Sequence, residues 1–141
     1  MTPTQKQLVR QSFQKIIPIA DTAATLFYAR LFELDPQLKA LFKGDMQAQG
    51  RKLMDMIAVA VRNVENLGAV LPAVEDLGRR HVAYGVTDAH YDTVAQALLD
   101  TLAKGLGADF TAETRAAWTE LYQIIADAMK QAGRRQAYTG R

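Results

Sequence analysis

The sequence contains no cysteine, and this absence removes several classes of site at once. Disulfide bonds, iron–sulfur clusters, thiol nucleophiles and cysteine-ligated zinc sites all require that side chain. The single serine, Ser12, lacks the flanking glycines that mark a hydrolase nucleophile. Catalysis by a thiol or by a serine triad is therefore not expected.

A strong charge of one sign and long apolar runs are also missing. The 17 lysines and arginines oppose 15 acidic residues, and the net charge of +2 is spread along the chain. So small an excess does not favour a nucleic acid or an anionic membrane as partner. The most apolar run, MIAVAV at residues 56–61, is too short to span a bilayer, and the first residues lack the apolar centre of a signal peptide. We therefore expect a cytoplasmic protein.

The two histidines, His81 and His90, do not have the spacing of a helical zinc site. Ligands on one helix face recur three or four residues apart, whereas Gly85 separates these two. Phosphate-binding loops of the G-x-x-x-x-G-K or G-x-G-x-x-G type are missing as well. Metal hydrolases and nucleotide-dependent enzymes are not favoured.

Apolar residues recur at helical spacing along most of the chain, which predicts an all-α domain of about six longer helices. Capping residues predict where helices start, at Thr2, Asp45, Thr87 and Thr111. We expect the helix after Asp45 to run to about Leu67 and the last helix to end at Gly133. The domain then covers residues 1–133, and residues 134–141 form a basic, flexible tail. Only MIAVAV could alternatively be a buried strand.

Three polar residues, Tyr28, Gln49 and His81, continue apolar stripes of the predicted helices. A buried polar group without a partner costs roughly 1–3 kcal/mol. The combination therefore indicates either an internal hydrogen-bond network or a bound ligand. Each residue alone has a simpler interpretation, since core histidines and tyrosines usually bond within the protein and Gln49 can reach water from a first helical turn.

From about Lys6 to Met129 the chain resembles the globins, on five segments taken together. It is similar to bacterial single-domain haemoglobins and to the globin domain of flavohaemoglobins, and the segment around LGRRH is similar to neuroglobin. The segments occur in the family's order and at compatible separations. They are FYARLFELDPQLKALF (27–42), RKLM (51–54), LPAVEDLGRRHVAYGV (71–86), AHYDTVAQALL (89–99) and AAWTELYQIIAD (116–127). The resemblance implies the globin fold, a three-on-three helical sandwich around a haem pocket.

The resemblance also implies a role for individual residues. His81 matches the histidine that binds the haem iron, while Tyr28 and Gln49 match distal residues that stabilise a bound gas; no residue is assigned as catalytic. Lys52 could reach a haem propionate or simply be solvated, and the adjacent arginines, Arg79 and Arg80, are expected mainly in solvent. The remaining matches to cofactor-binding positions are Phe42 and Leu53, with Val86, Tyr91, Val94 and Tyr122 on the proximal side.

By this resemblance the cofactor is haem b, held non-covalently because no cysteine can attach it. The implied function is reversible binding of O2, and also of NO and CO, at a pentacoordinate ferrous iron, with high O2 affinity from Tyr28 and Gln49. Such a protein serves oxygen transport. The alternative is an NO dioxygenase that converts NO to nitrate for nitric oxide detoxification. A haem-based gas or redox sensor and a haem-free helical regulator are less favoured, and we expect a monomer or a weak homodimer.

One departure from the family pattern bears on that choice. Flavohaemoglobins place a glutamate near the end of the last helix, where it pairs with a tyrosine and the proximal histidine. The tyrosine is present as Tyr91, but the glutamate position corresponds to Gly133 or to a nearby residue that is not acidic. This departure argues against fast NO-consuming or peroxidase-like behaviour. No flavin or nicotinamide module follows in the sequence, so any turnover is expected to use an external reductase.

Overall fold

The computed structural model describes residues 1–139, with the side chains of residues 1–135, and this part of the chain is helical without any strand. The all-α class and the six longer helices are therefore confirmed. None of the described helices is long and apolar enough to cross a membrane. The helices are α1 (Pro3–Ile16), α2 (Ala20–Leu34), α3 (Met46–Arg62), α4 (Leu71–Ala83), α5 (Asp88–Leu106) and α6 (Ala112–Thr139), with short 3-10 turns at Ile17–Ile19, Pro36–Leu41, Leu67–Ala69 and Gly107–Asp109.

The predicted capping residues begin their helices as expected. The hydroxyl of Thr2 accepts from the backbone N–H of Gln5 at 3.1 Å, and the Gln5 side chain accepts from the backbone of Thr2 at 2.9 Å. The Asp45 carboxylate accepts the backbone N–H two residues later at 2.9 Å, and at the start of α5 the backbone N–H of Thr87 donates to Nδ1 of His90 at 3.0 Å. Each cap involves residues close in sequence, which is why the sequence predicts it.

The end of α3 differs from the prediction, because the helix stops at Arg62 rather than near Leu67. The side-chain amide of Asn63 donates to the carbonyl of Val59 at 2.8 Å. The backbone N–H of Asn63 donates to the same carbonyl at 3.1 Å, so the side chain adds a second bond at the last turn and caps the end of the helix. The MIAVAV segment is helical within α3, so the strand alternative is wrong.

The last helix does not end at Gly133, and that prediction was wrong. A Cβ added at Gly133 would lie 2.6 Å from Cγ2 of Val82, and one added at Gly78 would overlap the backbone of Met129. Both glycines are therefore contact points where α4 and α6 approach closely. The predicted tail begins inside α6, which continues to Thr139, while residues 140 and 141 lie outside the described residues.

The core has a central part and two smaller clusters. In the centre, the Trp118 indole donates to the hydroxyl of Ser12 at 2.8 Å, and that hydroxyl donates to the Leu8 carbonyl at 2.7 Å. We call the second group the α2–α5 cluster; its buried members are Phe27, Tyr28, Leu31, Leu38 and Ala97. The third group is the α4–α6 cluster, whose buried members are Val70, Val74, Tyr91, Ala126 and Met129.

Candidate functional site

His81 lies in the last turns of α4 and is half-buried. Its Nδ1 atom is buried without a hydrogen-bond partner among the described residues, whereas Nε2 is not buried and forms no hydrogen bond there either. The backbone N–H of Val86 donates to the His81 carbonyl at 3.0 Å and fixes the chain where it leaves the helix. The imidazole therefore presents Nε2 as its accessible nitrogen.

The surroundings of His81 favour the neutral imidazole. Burial lowers its pKa, the Leu77 carbonyl one turn earlier acts in the opposite direction, and the positive charge of Arg80 lowers the pKa further. Neutral imidazole is the form that binds a metal through nitrogen. The described residues contain no group of three histidine or acidic side chains that could hold a bare ion. A metal bound by His81 would therefore need ligands from another group, as iron has in a porphyrin.

Tyr28 brings a second polar group into apolar surroundings on α2. It is only 8% exposed, and its ring lies 5.0 Å from that of Phe27 and 5.4 Å from that of Phe42, both edge-on. The hydroxyl donates to the Gln49 carbonyl at 3.5 Å, which is long for such a bond. Burial raises the pKa of Tyr28 to about 12, opposed by hydrogen bonding to Gln49. The hydroxyl is therefore a protonated donor with a weak partner.

On α3, Gln49 is half-buried and lies one turn before Leu53. Leu53, Phe42 and Val94 all pack against the α2–α5 cluster. The structure thus brings together Tyr28 and the side chains expected around a gas ligand. Val94, which was predicted on the proximal side, packs against this cluster as well.

The other predicted residues lie together on the α4–α6 side. Val86 and Tyr122 pack against the cluster that contains Tyr91, and the Tyr122 hydroxyl donates to the Tyr91 carbonyl at 2.7 Å. The Tyr91 ring is 6.3 Å from that of His81, with 25° between their planes. Burial raises the pKa of Tyr91, and the negative charge of Asp88 adds to the shift. Tyr91 thus forms one wall beside the imidazole.

Apolar side chains that pack against both clusters are only half-buried, so part of their surface is not covered by the described residues. Among the described residues, α3 packs on α1 and α2 and α4 packs on α6, without extensive contact between α3 and α4. Gly85 has φ +90° and lies where the chain leaves α4. This turn is close to Leu41, since an added Cβ would lie 3.8 Å from the Leu41 side chain. Half-buried apolar surfaces with few polar groups are typical of cofactor sites. The half-buried apolar side chains that are large enough to contact a flat ring are Phe42, Leu53, Val86 and Val94.

The basic residues near the site differ in whether they already form ion pairs. Arg79 and Arg80 both reach Asp76, at 3.9 Å and 3.2 Å, and both remain partly in solvent as expected. Lys52 is exposed on α3 and makes no ion pair within the described part of the chain. Of these three cations, Lys52 is the one left available for a negatively charged group.

Comparison with known proteins decides the family. The globin family model matches residues 25–129. The chain belongs to the globin family. This globin is 27% identical to a solved structure from Rhodothermus marinus, an engineered carbene transferase assigned as a nitric oxide dioxygenase, with a TM-score of 0.88 over 99% of this chain and 96% of that one. The globin fold expected from the sequence is therefore confirmed.

Two kinds of curated relative also match this globin. Flavohaemoproteins from two strains of Xylella fastidiosa are 35% and 34% identical over 92% of this chain but only 33% of their own length. A neuroglobin from Dissostichus mawsoni is 32% identical over 93% of this chain and 91% of its own. This globin thus spans about a third of the flavohaemoproteins it matches. Membership of the family implies haem and a small gaseous ligand.

Sequence reasoning missed several residues beside the site. Lys130 places its ammonium 5.5 Å from the centre of the Tyr91 ring, and Arg134 pairs with Asp88 at 2.6 Å. These contacts join α6 to the start of α5, positions far apart in sequence. Charged residues on predicted helices carry no signal of such contacts, because most of them face solvent.

Proposed function

We propose that this globin holds haem b non-covalently through Nε2 of His81 and reversibly binds O2, NO or CO. The observation that carries the proposal is the half-buried, neutral imidazole, with Nδ1 enclosed and Nε2 accessible. When bound, haem supplies a ferrous iron with one open position for a diatomic gas. His81 would supply the protein ligand of that iron.

The α2–α5 side would stabilise the gas. Phe42, Leu53 and Val94 offer apolar walls that exclude water, and such exclusion slows oxidation of the iron. Tyr28 offers a protonated hydroxyl that is held by only a 3.5 Å bond, so it can turn to a better acceptor at little cost. The Gln49 amide is a second donor. Two donors to a partly negative gas predict slow release and high O2 affinity.

Lys52 is the residue that we propose for a haem propionate. It is exposed on the helix that carries Gln49 and Leu53, and it has no ion pair within the described residues. Arg79 and Arg80 are less suited, because both already contact Asp76. A Lys52→Ala variant should release haem faster than an Arg79→Ala variant. Equal rates would remove Lys52 from this role.

An NO dioxygenase that converts NO to nitrate is the second candidate. Its support is the similarity to flavohaemoproteins and to the structure assigned as a nitric oxide dioxygenase. The residues around His81 argue against fast conversion of NO, because Gly133 has no side chain and a Cβ there would collide with Val82. His81 therefore gains no anionic partner from that position. Turnover would also need electrons from a reductase module or partner.

One experiment on the haem-loaded protein separates these functions. O2 uptake and release are followed spectroscopically over repeated cycles of oxygenation, and nitrate is then measured during NO addition with a flavin reductase and NADH present. The carrier proposal predicts one O2 per haem, full recovery, and nitrate that stops near one per haem. Sustained nitrate formation, well above that of free haem, would contradict the carrier proposal and support the NO dioxygenase. Failure to bind O2 reversibly would refute the proposal.

A further inference from the structure

A cavity lies between the end of α4, the start of α5 and α6, and the residues proposed to contact the gas do not line it. It has a volume of about 130 Å³ and is open to solvent. Gly133 contributes no side chain to it, and Val82 packs directly against this glycine, since an added Cβ would lie 2.6 Å from Cγ2 of Val82. The residues that line it are Val82, Val86, Asp88, Tyr91, Met129, Lys130, Gly133 and Arg134.

Two polar groups at this cavity have unused bonding capacity. Lys130 is half-buried and makes no ion pair within the described residues; its ammonium lies 5.5 Å from the centre of the Tyr91 ring. The Tyr91 hydroxyl has no hydrogen-bond partner in the same part of the chain and is not itself buried. An ammonium and a phenol are both donors, so together they suit an acceptor that carries negative charge.

The charges around the cavity limit the ligand to a small monoanion. Lys130 and Arg134 are positive and Asp88 is negative, so one positive charge remains uncompensated. Arg134 is already paired with Asp88 at 2.6 Å, which leaves Lys130 as the available cation. A dianion such as phosphate would add repulsion from Asp88, whereas one negative charge balances the excess. The apolar walls, Val82, Val86 and Met129, suit a short carbon chain.

We propose that this cavity is a binding site for a small carboxylate, which accepts hydrogen bonds from the Lys130 ammonium and the Tyr91 hydroxyl. The site is separate from the position proposed for O2, NO or CO. The Tyr91 ring also lies 6.3 Å from the His81 ring, so an occupant would hold the wall beside the imidazole. That consequence for His81 rests on the proposed haem function, whereas occupancy of the cavity does not.

The test is an NMR titration of the haem-loaded, CO-bound protein with sodium formate and sodium acetate at constant ionic strength. The proposal predicts saturable shifts of the Tyr91 ring and Lys130 side-chain resonances, and no comparable saturation with sodium chloride. Lys130→Met should weaken the apparent affinity about fivefold or more, because a charge-assisted hydrogen bond is lost. Lys104→Met, an exposed lysine at the end of the same α5 helix that carries Tyr91, is the matched control and should leave the affinity unchanged.

Three results would overturn the proposal. They are linear, unsaturable shifts, equal shifts with chloride, or equal affinity in wild type and Lys130→Met. Tyr91→Phe provides an independent check, since it keeps the ring and removes only the hydroxyl, and it should also weaken carboxylate binding. If the protein does not take up haem, the same titration on the haem-free folded protein still tests the cavity. Failure of the haem proposal is thereby distinguished from failure of this one.

Discussion

Replacing Tyr28 by phenylalanine should speed O2 release while leaving the fold intact. The ring keeps its edge-on contacts with Phe27 and Phe42. The hydroxyl loses only a 3.5 Å bond to the Gln49 carbonyl, and its burial cost disappears at the same time. We therefore expect the free energy of unfolding to change by less than about 1 kcal/mol.

The expected kinetic effect is larger, because the same hydroxyl is proposed to donate to the bound gas. A hydrogen bond to a partly charged acceptor contributes about 1–2 kcal/mol, which corresponds to roughly 5- to 30-fold faster release in Tyr28→Phe. Stopped-flow displacement of O2 by CO measures the rate. Tyr84→Phe, which removes a hydroxyl from a tyrosine that is 59% exposed, is the control. Equal O2 release rates in Tyr28→Phe, Tyr84→Phe and wild type would refute the role of Tyr28.

Three further predictions concern the helix packing and the imidazole. Gly78→Ala should lower the free energy of unfolding by about 2 kcal/mol in urea denaturation, because the new methyl group meets the backbone of α6. Gly68→Ala should not, because the added Cβ would make only an ordinary 3.7 Å contact with the Asn66 side chain. Ser12→Ala should cost about 1–3 kcal/mol by the same measurement, because the Trp118 indole loses its buried 2.8 Å acceptor. The pKa of His81 is lowered in the folded protein, so folding favours the neutral imidazole. The stability that this gives is complete above the ordinary pKa of histidine and is lost as the pH falls through the lowered pKa. Acidification of the haem-free protein should therefore lower the free energy of unfolding more in wild type than in His81→Gln, and equal losses in acid urea titrations would contradict this reasoning.

Local signals in the sequence were enough to predict most of the fold. The cap at Thr2 and the cap at Asp45 depend on bonds within three residues, and the apolar stripes follow helical geometry. The inward position of Tyr28 was also predictable, since it continues a stripe and is indeed buried. In each case the deciding interaction lies within a few residues of the chain.

The errors arose where distant residues decide the outcome. Gly133 has the local character of a helix stop, yet α6 continues past it, and its lack of a side chain lets Val82 pack closely against the helix there. Two ion pairs beyond it, Arg134–Asp88 and Arg135–Glu75, join this part of α6 to other helices. The charged residues around the cavity between α4, α5 and α6 could not be predicted either, because they are far apart in sequence. They come together only when α4, α5 and α6 have packed.

The central claim is that His81 is the protein ligand of a haem iron. Absorption spectra of the reconstituted protein in the ferric, ferrous and ferrous-CO states test it most directly, alongside His81→Gly and His90→Gln. Wild type and His90→Gln should show the same bands of histidine-ligated haem. His81→Gly should lose them and regain them when imidazole is added, since imidazole can replace the missing side chain. Spectra of His81→Gly that match the wild type without added imidazole would contradict the account.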